Sequence, residues 1–198
     1  MKAVLFDAGG VLVDFADFGK WLFDIFKPQD QRKFWEEINI LCLPLCRGEV
    51  TLEDFWQQLR RKYKIQLDDS SLHSVWVEKF ANLTKINRQV LDIALSLKPR
   101  YQIGIISNTI PQHAEIHRTA GLYDMFDVVL LSSELQMTKD DERIFLLAAE
   151  MLNVLPQECV FIDDVKLFVN KARSVGMTGI LYEGPEKLAK SLQGLGLS

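Results

Sequence analysis

Lys2-Ala3-Val4-Leu5-Phe6-Asp7-Ala8-Gly9-Gly10-Val11-Leu12-Val13-Asp14 is the stretch from which the rest of the chain can be read. Ala3 to Phe6 is an unbroken apolar run, the pattern of a strand buried on both faces. The run stops at an acid, and two glycines follow. An aspartate at the carboxyl end of a buried strand faces the crevice where open α/β sheets bind ligands. Gly9 and Gly10 permit a tight turn and a close approach of backbone to a ligand. Asp7 is therefore a charge on a rigid strand end beside a permissive loop, which suits a carboxylate nucleophile or a metal ligand. An acid that merely caps a turn has the same local sequence, so the decision rests on what lies further along.

Three later runs repeat the pattern. Ile103 to Ile106 ends in Ser107-Asn108-Thr109, Asp127 to Leu131 is followed some residues later by Lys139, and Val160 to Ile162 ends in Asp163-Asp164. Each leads to residue types that handle phosphate or metal. Helical periodicity fills the intervals: a helix from about 85 to Leu97, Pro111 to Ala120, Asp141 to Leu152, and Lys166 to Val175. Thr178 to Tyr182 reads as a fifth strand, and a last helix runs through Leu188 and Leu192. Strands alternating with helices predict an α/β fold, a Rossmann-like, doubly wound, mostly parallel sheet.

Residues 15–92 have a different character. Phe18, Trp21, Leu22 and Phe26, then Phe34, Trp35 and Ile38, then Phe55, Trp56 and Leu59 recur at helical spacing. Thr51-Leu52-Glu53-Asp54 carries a capping-box signature. Pro28, Gly48 and Asp68-Asp69-Ser70-Ser71 punctuate the stretch. No strand is expected in it. The predicted organisation is a core of residues 1–14 and 93–198 with an all-helical cap at 15–92, hinged near 14 and 93. A cap over the carboxyl edge of a sheet would exclude water from chemistry there.

Composition sets wider bounds. The chain has 198 residues, 48% hydrophobic and 25% charged, ordinary for a globular domain. A net charge of −4 argues against a general nucleic-acid or anionic-membrane binder. The N-terminal apolar run is too short for a signal peptide, and nothing approaches the ~18 apolar residues of a membrane span. The expectation is a cytoplasmic protein. Cys42, Cys46 and Cys159 read as buried thiols, since a zinc site needs further ligands at suitable spacing. His113 and His117 share a helix face, but Ala114 stands where a zinc-protease glutamate belongs, so they read as a partly exposed structural pair. His73 has no identifiable partner.

The four runs with their terminal residues, taken in order and spacing, resemble the four motifs of the haloacid dehalogenase-like hydrolases. The resemblance covers nearly the whole chain. It implies that Asp7 attacks phosphorus and forms an aspartyl-phosphate. It implies Mg2+ held by Asp7, the Gly9 carbonyl and Asp164, with Asp163 adjacent. Ser107, the amides of Asn108 and Thr109, and the Gly9-Gly10 loop would hold the phosphate, and Lys139 would balance its charge. The implied partner is a small phosphorylated metabolite, with no nucleic acid or membrane involved and the protein a monomer or dimer. Asp7-Ala8-Gly9-Gly10-Val11, Arg47-Gly48-Glu49-Val50-Thr51 and Ser107-Asn108-Thr109 are similar to a subgroup acting on sugar phosphates such as glucose 1-phosphate. Asp163 to Tyr182 looks like the phosphatase domain of mammalian epoxide hydrolase. Three positions depart from the family pattern. Gly9 replaces the aspartate that acts as general acid and base, Asp140 a proline, and Phe168 an asparagine. The alternatives are a weakened or inactive relative that acts as a binding protein, and another chemistry of the family such as dehalogenation.

Overall fold

The structure is a computed structural model that describes residues 1–65 and 69–197, and the side chains of residues 69–74 lie outside the description. Asp68 and the side chain of His73 therefore fall outside the described residues. The chain begins with β1 (Ala3–Phe6) and the short β2 (Val13–Asp14). The helices α1 (Ala16–Phe26), α2 (Gln31–Leu41), α3 (Leu43–Cys46), α4 (Leu52–Tyr63) and α5 (Asp69–Leu83) follow. Then come β3 (Lys85–Ile86), α6 (Arg88–Leu97), β4 (Gln102–Ser107), α7 (Pro111–Thr119), β5 (Val128–Leu131) and α8 (Ser132–Leu135). The chain closes with α9 (Arg143–Met151), β6 (Cys159–Asp163), α10 (Lys166–Ser174), β7 (Thr178–Leu181) and α11 (Pro185–Gly194).

Five strands form one parallel sheet in the order β5-β4-β1-β6-β7. β1 is central, with Phe6 opposite Ile105 on one side and Ile162 on the other. The chain builds outward through β4 and β5, then crosses back to place β6 and β7 on the other flank. The topological switch point thus lies between β1 and β6, where such sheets open a crevice at their carboxyl ends. Side chains alternate across the sheet. Val4, Phe6, Ile105 and Ile162 join Leu91 and Ala94 of α6 and Leu188 of α11 in one core layer. Ala3, Leu5 and Phe161 join Ile144 and Phe145 of α9 and Ala172 of α10 in the other. Helices on both faces explain why the strands are continuous apolar runs rather than alternating ones.

The first five helices enclose a separate aromatic core that includes Phe18, Phe26, Phe34, Phe55, Trp56 and Phe80. Trp56 and Trp76 meet edge to face at 4.9 Å, and Phe26 stacks parallel to Trp56 at 5.9 Å. These are favourable ring geometries, worth roughly 0.5–1.5 kcal/mol per pair beyond area burial. The capping box is present: Thr51 accepts from the Asp54 amide, and Asp54 accepts from the Thr51 amide.

The absence of strands between 15 and 92 fails at one place. Lys85–Ile86 forms β3, antiparallel to β2, with Val13 opposite Ile86 and Asp14 opposite Lys85. The Asn87 amide continues the ribbon by donating to the Leu12 carbonyl at 2.8 Å. The Asn87 side chain then caps α6, so that helix starts at 88 rather than 85. The physical reason is proximity: the two segments that cross between sheet and helices run side by side and satisfy each other's backbone. A two-residue strand is too short to have a readable period. Among the described residues, no helix is long and apolar enough to cross a membrane.

Candidate active site

The carboxyl edge of the sheet gathers an acidic cluster. Asp7 is the first residue past β1 and is 5% exposed, with its amide donating to the Ile162 carbonyl at 2.8 Å. Asp163 ends β6 and is fully buried, and Asp164 follows it. One carboxylate oxygen from each of the three lies within 4.8 Å of the others. Lys139 reaches the cluster from the loop before α9, itself buried to 1% exposure. Its Nζ donates to Asp7 Oδ1 at 2.8 Å and to Asp163 Oδ2 at 2.6 Å. Its amide donates to Asn108 Oδ1 at 2.9 Å, which ties the lysine loop to the end of β4. The other Asp163 oxygen accepts from the Val165 amide at 2.7 Å and fixes the turn into α10.

Three carboxylates thus share one ammonium. Burial raises the Asp7 carboxyl well above its ordinary value, and Lys139 offsets only part of that. Burial also raises Asp163, against the opposing pull of Lys139. Asp164 is exposed, but to the cavity mouth that it lines rather than to open surface. The protein packed around it, and then Asp163, push its carboxyl up to about 6. For Lys139, burial works against the charge, yet Asp163 and Asp7 outweigh it and hold the ammonium above its usual range. The arrangement carries surplus negative charge on clustered hard oxygens. That is the donor set a Mg2+ ion takes.

The neighbouring loops have defined geometry. Gly10 adopts φ +80°, and a Cβ there would collide with the Asp164 carboxylate, so only glycine fits. Gly9 needs its bareness for another reason: a Cβ would lie 2.6 Å from Cε2 of Phe15. The Phe15 ring therefore stands where the missing acid would project. Ser107 ends β4 at 4% exposure and lines the cavity with Asn108. Thr109 differs from expectation. Its amide already donates to Ser132 Oγ at 2.9 Å, and Ser132 donates back to the Thr109 carbonyl at 3.1 Å. The Thr109 amide is therefore already engaged within the protein.

Two other departures have structural partners. Phe168 places its ring centroid 4.8 Å from Lys139 Nζ, a cation–π contact. Asp140 lies 3.6 Å from Arg47, whose guanidinium also donates to Thr138 Oγ1 at 2.9 Å and to Glu49. Sequence reasoning missed Phe15, Ser132 and the Arg47–Thr138 bond. Only Ser132 carried a signal, since Ser132-Ser133 follows the apolar run of β5 as Ser107 ends β4.

His113 and His117 are not partly exposed. They keep 9% and 6% exposure, because α7 packs against α5 and Phe80 stacks on His113 at a ring distance of 3.4 Å. Desolvation holds His113 well below its ordinary value and His117 at about 4, so both are neutral near pH 7. Cys42 is half-buried, Cys46 and Cys159 are buried, and all three are free thiols. Above the acidic cluster opens a cavity of about 1230 Å³ between the helices and the sheet edge.

Comparison with known proteins places this geometry in context. A family model described as haloacid dehalogenase-like hydrolase matches residues 1–165. A phosphorylated carbohydrates phosphatase of Thermotoga maritima is 27% identical over 91% of this chain and 84% of its own length. A D-ribitol-5-phosphate phosphatase of Bacteroides thetaiotaomicron is 26% identical over 89% of each. A magnesium complex of a HAD family enzyme from Bacteroides thetaiotaomicron superposes with a TM-score of 0.70 at 24% identity, covering 98% of both chains.

Proposed function

The chain belongs to the haloacid dehalogenase-like hydrolase family, and from that premise we propose that it is a magnesium-dependent phosphatase of small phosphomonoesters with Asp7 as nucleophile. The observation that carries the proposal is the position of Asp7. It sits at the switch point of the sheet, bonded to Lys139 and within ligand-sharing distance of Asp163 and Asp164. Mg2+ fits the residues present: Asp7 and Asp164 would hold it with the Gly9 carbonyl, and Asp163 would stand adjacent. When bound, it would neutralise the phosphate and lower the carboxyls that burial has raised.

The chain's own groups support the rest. Ser107 Oγ, the Asn108 amide and Lys139 would orient the phosphate in the low-dielectric crevice. An Asp7 oxygen attacks phosphorus, the P–O ester bond breaks, and the leaving oxygen departs with the electron pair and takes a proton from solvent. Water then attacks the aspartyl-phosphate at phosphorus. The acyl-phosphate P–O bond breaks, inorganic phosphate leaves, and the Asp7 carboxylate is restored. In the same reading residues 15–92 act as a cap on a core of 1–14 and 93–198, and the β2–β3 ribbon marks their junction.

Turnover of p-nitrophenyl phosphate with and without magnesium tests the proposal, beside the Asp7→Asn variant. The expected result is magnesium-dependent release of phosphate that falls more than about 10⁴-fold in the variant while the fold persists. The Phe15 ring against Gly9 favours one second reading, a binding protein that has lost its catalysis. It would follow if no ester were turned over and Asp7→Asn changed nothing.

A further inference from the structure

Two separate features bear on the leaving group of the substrate. The first is chemical. Position 9 carries no acid, and the Phe15 ring occupies the space one would need. An alkoxide, whose conjugate acid has a pKa near that of water at ~15.7, leaves poorly without a proton donor. A phenoxide, with a conjugate acid near ~10, needs far less help.

The second is the cavity wall. Beyond the acids, the lining is mostly apolar and rich in rings, Phe15, Phe18, Phe23, Trp35, Trp76 and Phe80, with the half-buried Asn39 as a polar member, while Lys20, Arg32, Glu36 and Lys166 stand exposed. Nε2 of His113 and of His117 lies closed off behind this wall, without a hydrogen-bond partner among the described residues, and offers no polar contact to a ligand in the cavity. A sugar would bring several hydroxyls into this wall, and each one left unpaired costs roughly 1–3 kcal/mol. A flat ring gains from stacking on aromatic faces instead.

Resting on the phosphatase reading, we infer that the substrate is the phosphate monoester of a phenol or similarly acidic hydroxyl on a flat, largely apolar ring system. Its phosphate lies at Asp7, and its ring lies against Phe15 and Trp35. Attack by Asp7 breaks the P–O bond to the ring oxygen. The aryloxide leaves with the bonding pair and is protonated by solvent, so no group at position 9 is required. The class differs from the sugar phosphates named for several relatives, because the wall that meets the leaving group is built from this chain's own rings.

The test is a panel of phenyl phosphate, 1-naphthyl phosphate, glucose 1-phosphate, ribose 5-phosphate and glycerol 3-phosphate, each assayed with magnesium by phosphate release. The expected order of kcat/KM puts the two aryl esters at least about 10²-fold above the two alkyl esters, the lower bound for a missing general acid. Glucose 1-phosphate separates the two arguments. Its leaving oxygen is more acidic than an alkanol but carries no aromatic ring, so it should fall below naphthyl phosphate chiefly through a higher KM. Phe15→Leu should cut kcat/KM for naphthyl phosphate about tenfold, roughly the worth of one aromatic contact, and leave inhibition by inorganic phosphate unchanged. Trp35→Leu, at a half-buried position, gives the same readout if Phe15→Leu does not fold. Sugar or glycerol phosphates that match or exceed the aryl esters would overturn the inference and leave the phosphatase reading standing. Failure of every ester in the panel and of p-nitrophenyl phosphate would remove both.

Discussion

The sheet edge and the helical unit above it bury different things. At the edge, Asp7, Asp163 and Lys139 are buried as charges, each held by a named partner at hydrogen-bond distance. In the helical unit Phe18, Trp56, Trp76 and Phe80 are buried as rings, and the polar atoms among them, Nε1 of Trp56 and Trp76 and Nε2 of His113, have no partner among the described residues. The edge spends stability on placing charge. The helical unit gains stability from area and seals a few polar atoms inside it. Charge buried in pairs fixes a geometry, whereas the rings that line the cavity set its shape. This division fits the three departures from the family pattern. Gly9, Asp140 and Phe168 are all answered by neighbouring side chains, Phe15, Arg47 and Lys139, and two of those pairings join the two regions.

The sharpest way to break the comparison is to remove the cation that makes the edge tolerable. Lys139→Met leaves Asp7 and Asp163 buried and facing each other without their ammonium. We expect a loss of about 3–5 kcal/mol in urea unfolding, the range for breaking a buried ion pair from one side. Added magnesium should recover part of that loss, because a divalent cation shared by the carboxylates replaces the lost charge. A loss below about 1 kcal/mol would mean that the acids simply take up protons and that the edge is not organised by charge.

The two regions were also unequally legible in the sequence. The sheet was visible because continuous apolar runs ending in Asp7, Ser107 and Asp163 have few other readings, and three such ends in order constrain each other. The meeting of Asp7 with Asp163 and Asp164 was legible from strand ends on either side of a switch point, whereas Lys139, in a loop well past the edge strand β5, was placed only by the resemblance to the family's third motif. The helices were visible, but not what their faces would touch. His113 and His117 read as partly exposed because periodicity describes one helix, while their burial depends on α5 lying against α7. The β2–β3 ribbon escaped because a pairing of two residues has no period. Phe15 escaped because a lone aromatic beside an aromatic-rich stretch carries no mark of where its ring will lie.

The histidine pair sharpens the comparison on the side of the helices. Both imidazoles are depressed below the ordinary value of 6.5 by desolvation, His117 to about 4. The rings of Phe80 and Trp76 face His113, and the Tyr123 hydroxyl meets His117 Nδ1 at 3.4 Å. The unfolded chain therefore binds more protons than the folded one between about pH 6.5 and 4. Their contribution to stability is fully present above 6.5 and is lost as pH falls through that window, by up to about 1.4 kcal/mol per pH unit for each histidine. The buried acids act with the opposite sign, since their folded values are raised. The readout is therefore the difference between wild type and a His113→Leu/His117→Leu variant. That difference should shift in favour of the variant by about 3–4 kcal/mol between pH 7 and pH 5 in urea melts, about 2 kcal/mol for each histidine. A difference that does not change with pH would mean that the α5–α7 contact opens to water more readily than its packing indicates.

The smallest effect is expected where the two regions are tied together. Arg47, at the end of α3, donates to Thr138 Oγ1 at 2.9 Å and lies 3.6 Å from an Asp140 oxygen, and Thr138 in turn donates to Asp140. Thr138 and Asp140 flank Lys139, so the guanidinium grips the loop that carries the buried cation. The Arg47 side chain is 23% exposed and Asp140 37%. At that exposure the ion pair itself is worth at most about 1 kcal/mol, with the neutral bond to Thr138 adding a similar amount. A double-mutant cycle of Arg47→Met and Asp140→Asn should give a coupling of roughly 0.5–1 kcal/mol at low salt that shrinks at 1 M salt, where the screening length is ~3 Å. The Thr138 bond is not an ion pair and should survive that salt. Arg47→Met should therefore still cost about 0.5–1 kcal/mol at 1 M salt, whereas Asp140→Asn should cost close to nothing there. If magnesium-dependent turnover is measured alongside, Arg47→Met should raise KM more than it lowers kcat. Loosening the tie leaves Lys139 bonded to Asp7 and Asp163 but frees α3 from the loop that carries Lys139, on the proposed reading of residues 15–92 as a cap. A fall in kcat with unchanged KM would instead mean that Arg47 acts through the position of Lys139, and that edge and helices are less separable than their cores indicate.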